Sequence, residues 1–593
     1  MPGLLILQSS RRPVLRPGRR AAVFAVATAA LLPSPASAQL GDIGYGGIGS
    51  DLGADPRVGS LRPQLENYLN KGPPLAARPA WLFSRALGVD IGATDNVYQV
   101  RSPKRADIFT TITPSVYVDG DAARVKVNLS YSPEVTVYAN TGSQNRVSQF
   151  LNGQAKAIIV PDAIFLDARA SITQQSLSGG GYNQYQTQTY GRQNQVQTTT
   201  VSLSPSARHR FGSWGDGTVS YIYSKTLQDT QTGTASASNN ALGTPGYGAP
   251  GNLSSNTETA IFTSGENLGR IQDQILVTAT QNTGSGSARS GYRQEVQNSL
   301  DFALTRAITL LSTLGYQQIN YGSSLNAGTT STGFGTGYNF SGPTYSLGVR
   351  YAPQPRFGIT VRYGRHDGST DATFSAQYQI TARASIVASY TNGVTTDLQQ
   401  AQSQLANSNV GAGGVLTDST TGAPIRQNNY NATQNGVYRL NRFNASLIFV
   451  QERDSYSLSL TNDERTTLTS SPNLLGTSVV PSGTATTTTS VGFSWQHDLA
   501  PDMSLSTNAQ YGVSTNTGQF VGSSNRNQRT ITLSAILSKQ LSETLSANLR
   551  YVYTDQTGGQ NGTNFNTNGF SNNGLNGGPY TQNTLLLGLR KSF

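Results

Sequence analysis

The sequence predicts an all-β protein, a closed antiparallel transmembrane β-barrel of about 22 strands within a range of about 18 to 24. Three observations predict it. A secretory leader opens the chain, yet no later apolar run is long enough for a membrane helix, so a second meeting with a membrane must use strands. From Trp81 onward, segments of about ten residues alternate apolar and polar side chains. The connections between those segments are short and long in turn, the rhythm of a barrel with tight periplasmic turns and long extracellular loops.

Composition narrows the class first. Of 593 residues only 12% are charged, against roughly 25% in ordinary soluble chains, which argues against a conventional cytosolic enzyme. The 63 glycines and 28 tyrosines are poor helix material but leave apolar surface to bury. With no cysteine and three histidines, disulfide frameworks, zinc ribbons and thiol catalysis are excluded, and neither a metal nor a cofactor is expected. Setting aside five leader arginines leaves 42 − 5 = 37 basic against 31 acidic residues, a net charge of +6. That is too mild to argue for a nucleic-acid partner.

Residues 1–38 have the layout of a signal peptide: arginines up to Arg20, an apolar stretch Ala21–Leu32, then Ala36-Ser37-Ala38 before Gln39. The apolar run is about 12 residues where a bilayer crossing takes about 20, so cleavage at Ala38–Gln39 is expected. Residues 39–80, with Gly44–Gly49 and Pro73-Pro74, read as a flexible periplasmic segment. It is far too short for the plug domain that fills some large barrels.

Residues 81–593 read as the barrel. Val125, Val127, Leu129 and Tyr131 alternate with polar neighbours, as do Phe374, Ala376, Tyr378 and Ile380. The pair Ile531 to Leu537 and Leu545 to Tyr553 does the same. Two packed layers would alternate equally well, so the connections decide. Short links near 305–308, 381–383, 499–502 and 540–544 alternate with longer polar segments near 322–340, 364–371, 392–434 and 556–578. This places both chain ends on the periplasmic side and makes the strand number even. The last strand carries Leu585, Leu587, Leu589 and Phe593 on one face, like the C-terminal assembly signal of outer-membrane proteins. Lys591 on that face is tolerable close to the interface, where a basic group costs roughly 0–1 kcal/mol.

Apolar neighbours in alternation put Arg124, Lys126, Arg350, Arg362, Arg550 and Arg590 on the lumen side. Two readings are open: a positive lumen for anionic solutes or an acidic glycan, or bracing of the wall by inward acids such as Asp90, Glu134 and Asp301. Tyr131, Tyr138, Tyr351, Tyr363, Tyr551 and Tyr553 read as interfacial girdle residues, while Tyr182, Tyr185 and Tyr190 lie in a long loop. His209, His366 beside Asp367, and His497 lie in no nucleophile motif, and no catalytic residue is assigned.

Several ordered segments carry a family resemblance. They are Gly88-Val89-Asp90 with Thr94-Asp95-Asn96-Val97-Tyr98, Ile112-Thr113-Pro114-Ser115-Val116, Phe262-Thr263-Ser264-Gly265, and Arg442 to Leu447 running into Glu452 to Leu460. With them the chain resembles the outer-membrane β-barrels associated with exosortase and exopolysaccharide loci, related to a broader group of β-barrel porins. The resemblance implies an outer-membrane, non-enzymatic, porin-like channel or scaffold in envelope polysaccharide secretion in a Gram-negative envelope. It also implies outer-membrane lipid, the barrel-assembly machinery and polysaccharide secretion components as partners. A general diffusion porin and a surface-binding protein displaying long loops are the rival readings.

Overall fold

The computed structural model describes residues 80–176, 195–230, 251–284, 290–322, 337–410, 416–418, 436–469, 471–472, 479–480, 483, 485–517, 527–558 and 579–593. The leader, its cleavage site at Ala36, Ala38 and Gln39, the segment 39–79 and the loop tyrosines 182, 185 and 190 lie outside the described residues.

Twenty-two strands follow one another around a single ring. They are β1 (Trp81–Thr94), β2 (Asp107–Asp121), β3 (Val125–Tyr131 and Glu134–Tyr138), β4 (Arg146–Ser148 and Leu151–Val160), β5 (Ile164–Ser176), β6 (Gln195–Arg210) and β7 (Gly215–Thr230). Next come β8 (Asn252–Ser264), β9 (Ile271–Gly284), β10 (Tyr292–Ala303), β11 (Ile308–Tyr321), β12 (Tyr338–Gln354), β13 (Phe357–His366), β14 (Ser369–Thr381) and β15 (Ala384–Thr395). The ring finishes with β16 (Tyr438–Val450), β17 (Asp454–Thr467), β18 (Ala485–Ala500), β19 (Met503–Thr517), β20 (Gln528–Ser542), β21 (Leu545–Gly558) and β22 (Tyr580–Ser592). Every neighbour is antiparallel, and β22 pairs with β1 from Ala86↔Ser592 to Thr94↔Thr584, so no edge strand remains. Closure satisfies the ladder hydrogen bonds internally, the condition for a sheet to sit in hydrocarbon.

Strands β3 and β4 are each broken once, opposite one another. Pro133 has no N–H to give the ladder, and the Ser132 amide donates instead to the Phe150 carbonyl at 2.9 Å.

The wall is inverted relative to a soluble core. On β11 and β12 the outward phase carries Leu314, 67% exposed, and Leu347, 72% exposed, while inward Gln317 and Thr344 are buried. Apolar area of this kind, exposed around a whole ring, calls for lipid rather than water. Aromatic rings gather at the short-turn end on the outer face: Tyr351 against Phe357 at 6.0 Å, Phe357 against Tyr378 at 5.5 Å, and Phe449 against Tyr456 at 6.0 Å. These have the amphipathic placement of an interfacial girdle. Tyr363 and Tyr551 also face outward. Tyr138 does not: it is buried on the inner face, its ring 5.2 Å from Phe109 and its hydroxyl accepting from Arg146 at 3.2 Å. The correction is one of parity, because an even-numbered residue on this strand cannot share a face with Tyr131.

At the short-turn end the links are brief, for example 122–124, 382–383 and 501–502; at the other they are mostly long, for example 177–194 and 559–579. The segment 364–371 departs from the expected long loop. It is a two-residue turn in which Asp367 has φ 50° and Gly368 φ 76°, the Asp-Gly pair that a type I′ hairpin requires. The longest connection, 396–437, is also not wholly external, for its first part enters the barrel.

Candidate functional site

The residues that enter the barrel begin with a ten-residue helix, α1 (Asp397–Ala406). Thr396 caps it, its hydroxyl accepting from the Gln399 amide at 3.2 Å, and Asp397 puts a carboxylate at the positive end of the helix. At about 1.5 Å per residue the helix is about 15 Å long, enough to reach well across a lumen.

Its two ends are tied to opposite walls. At the N-terminus Asp397 Oδ1 accepts from Arg465 Nη1 of β17 at 2.7 Å and from the Tyr438 hydroxyl of β16 at 2.7 Å, and Arg465 stacks on the Tyr438 ring at 4.8 Å. At the C-terminus Arg169 of β5 donates from Nη1 to the carbonyls of Leu405 at 3.0 Å, Ala406 at 2.6 Å and Ser408. The Leu405 carbonyl also accepts from the Ser408 hydroxyl at 2.8 Å, and a guanidinium at this end of the helix complements the dipole. Asp167 holds Arg169 in place, accepting from Nε at 2.7 Å and Nη2 at 3.1 Å. Strands β5 and β16 stand eleven apart in a ring of twenty-two, which is half the circumference. The segment is therefore a strap across the bore.

The strap is also held along its length. Gln402 accepts from the Ser255 hydroxyl at 2.8 Å and donates to the Leu253 carbonyl at 3.1 Å, both on β8. Leu398 packs with Leu253, Ile319, Tyr321, Val394 and Val437 in an apolar cluster at the long-loop end. Beside it the Asp367 turn folds inward. Its carboxylate lies 3.0 Å from Arg293 Nη2 and accepts from the Val394 amide at 2.7 Å, while its backbone carbonyl accepts from the Tyr338 hydroxyl at 2.7 Å and Arg439 at 2.9 Å.

Below this layer the inner face of β9 to β14 lines a cavity of about 590 Å³. Gln272, Gln274, Gln297, Ser346, Arg350 and Arg362 are among its walls. Arg362 Nη2 lies 3.9 Å from Asp301 Oδ1, and Arg350 is exposed with no hydrogen bond or ion pair to another described residue.

The six basic lumen candidates divide by position. Arg350 and Arg362 meet in that cavity. Arg550 and Arg590 face inward but are buried, Arg590 donating to the Ser115 hydroxyl, so they belong to the packed wall near the β22–β1 closure. Lys126 sits at the short-turn rim, 3.1 Å from Asp121 and 70% exposed, and Arg124 lies in the preceding turn rather than on a strand. Arg124 is a correction to a lumen-wall placement, because the strand starts at Val125 and alternation says nothing about a turn, whereas Lys126 is the second residue of that strand, at its rim. Leu585, Leu587 and Leu589 are exposed on the outer face of β22, with Phe593 exposed beyond its end.

The histidines are each accounted for. His209 packs edge-on to Phe211 at 5.1 Å. His366 lies between Glu295 at 3.4 Å and Asp367 at 3.3 Å. His497 meets Asp454 at 2.8 Å, on a carboxylate that also accepts from Trp495.

The strap and its anchors Arg169, Asp397, Tyr438 and Arg465 were missed by pattern reading. One signal was present: Thr396-Asp397-Leu398-Gln399 has the form of a capping box, followed by Leu405.

No family model and no curated protein matches the chain. Among solved structures it is similar to the apoprotein form of the FrpB iron transporter from Neisseria meningitidis (F5-1 variant), at 10% identity over 86% of this chain and 81% of that one, with a TM-score of 0.45. It is also similar to the siderophore receptor PirA from Acinetobacter baumannii, at 9% identity over 86% and 80% of the two chains, with a TM-score of 0.44. The ferric-catecholate import receptor Fiu from E. coli K12, in its closed form, gives 12% identity over 86% and 81%, with a TM-score of 0.43. The closed architecture stands on the strand pairing of this chain itself.

Proposed function

We propose that the chain is a non-enzymatic outer-membrane barrel that passes hydrophilic solute, with the strap at residues 397–410 narrowing its outer mouth. The observation that carries the reading is the closed ring of 22 strands with apolar residues outward and polar residues inward. The long-loop end faces out and both barrel termini face the periplasm, following the usual disposition of such barrels. By the family resemblance its setting is envelope polysaccharide secretion, with outer-membrane lipid and the barrel-assembly machinery as partners. A general diffusion porin differs from this in having no preference among solutes of equal size. A display protein differs in passing none.

Purified protein in a planar bilayer tests the reading, alongside a variant with residues 397–410 replaced by a Gly-Ser linker. The wild type should carry a small steady current and the variant a larger one. Silence from both proteins overturns the conduit.

A further inference from the structure

From the cavity under the strap we infer that the inner wall of β9 to β14 is a binding subsite for a carboxylated, polyhydroxylated ligand, a sugar acid or short acidic oligosaccharide. The inference deepens the conduit reading, since it needs a bore that solute can enter.

Beside the cavity, three glycines let neighbouring side chains lie flat against the wall. Gly315, Gly348 and Gly364 fall on the inward phase of three consecutive strands, β11, β12 and β13. A Cβ on Gly348 would stand 2.7 Å from Arg362 Cγ, and one on Gly364 would stand 2.4 Å from Ser346 Cβ. Glycine at 348 is what allows the Arg362 side chain to lie across the wall toward Asp301. The cavity of about 590 Å³ is of the size that holds organic ligands rather than single ions.

Its chemistry is specific. Arg350 stands opposite Thr360, and Gly348 opposite Arg362, so the two arginines are diagonal neighbours with Cα atoms about 7–8 Å apart. Arg350 makes no ion pair, and Arg362 leaves Nη1 buried without a hydrogen-bond partner among the described residues. The acid facing them, Asp301, lies 3.9 Å from Arg362 and feels the charge of Arg350 without an ion-pair contact to it. Two guanidinium groups therefore face one distant carboxylate, where a ligand carboxylate would find paired donors. Asp371, at the upper end of the cavity, accepts from the Ser369 hydroxyl at 2.9 Å and limits the anionic stretch to the lower part. Around the arginines stand Gln272, Gln274, Gln297, Ser299, Thr313 and Ser346. Amides and hydroxyls both donate and accept, as vicinal sugar hydroxyls do.

Calorimetric titration of the full chain in detergent tests this without any bilayer. Trigalacturonate, maltotriose and inorganic phosphate are the probes, against wild type, Arg350→Gln/Arg362→Gln and Gly348→Leu. Trigalacturonate should bind wild type at least about tenfold more tightly than maltotriose or phosphate, with at least about a tenfold loss in the double variant. No binding of trigalacturonate, equal binding of maltotriose, or an unchanged double variant overturns the subsite. Phosphate binding as tightly as trigalacturonate overturns the sugar component. Gly348→Leu should lose binding if folded, and the double variant decides alone if it does not fold. A silent bilayer with intact selective binding sinks the conduit and leaves the subsite standing.

Discussion

Replacing Arg169 with alanine should free the C-terminal end of the strap. One guanidinium serves the carbonyls of Leu405, Ala406 and Ser408 and is itself braced by Asp167. A hydrogen bond to a charged group contributes about 1.5–3 kcal/mol, and a cation at a helix C-terminus about 0.3–1 kcal/mol. The three bonds share one nitrogen and do not add, so the local loss is about 3 kcal/mol. At about 1.4 kcal/mol per decade, the opened strap becomes on the order of 100-fold more populated. The chain has no cysteine, so a single Leu405→Cys reporter, at a position 2% exposed, reads that population by its rate of maleimide labelling. Labelling should accelerate on the order of 100-fold in Arg169→Ala, and Arg169→Lys should recover part of the protection. Rates within about threefold of each other, with the barrel folded in both, would refute the idea that Arg169 holds the strap.

Four further outcomes follow from the same geometry. Arg465→Ala removes one partner of a buried pair that meets at 2.7 Å, a change that costs about 3–5 kcal/mol; labelling of the same Leu405→Cys reporter and single-channel noise should both show a looser strap. Leu314→Arg, at the middle of β11 on the outer face, should destabilise the barrel by about 2–4 kcal/mol in urea unfolding from lipid vesicles, whereas the inward Thr313→Arg should have a much smaller effect. Deleting Phe593 should lower the fraction of chain assembled in the outer membrane, read by the share of heat-modifiable barrel in the membrane pellet. N-terminal sequencing of the exported protein should begin at Gln39.

The legible part of this protein was the part that local geometry dictates. A strand turns over every two residues, so Phe374, Ala376, Tyr378 and Ile380 declare an outward face without reference to any partner. The short links were readable for the same reason. Where reading failed, it failed at places alternation does not govern. Arg124 lies in a turn, the Asp367-Gly368 hairpin needs only two residues where a polar stretch suggested eight, and Tyr138 required strict parity through the break at Pro133.

The candidate site was legible only in fragments. Arg350 and Arg362 could be assigned to the bore from their apolar neighbours, but Arg550 and Arg590, identical in pattern, are buried in the wall near its closure. The sequence by itself determined the architecture class, the even strand number and the side facing lipid, because those follow from a two-residue period and from connection lengths. Tertiary structure alone decided that residues from a loop would turn inward and that Arg169 would cap a helix 236 residues away. Contacts between opposite walls depend on the diameter and curvature of the closed ring, which no local period encodes.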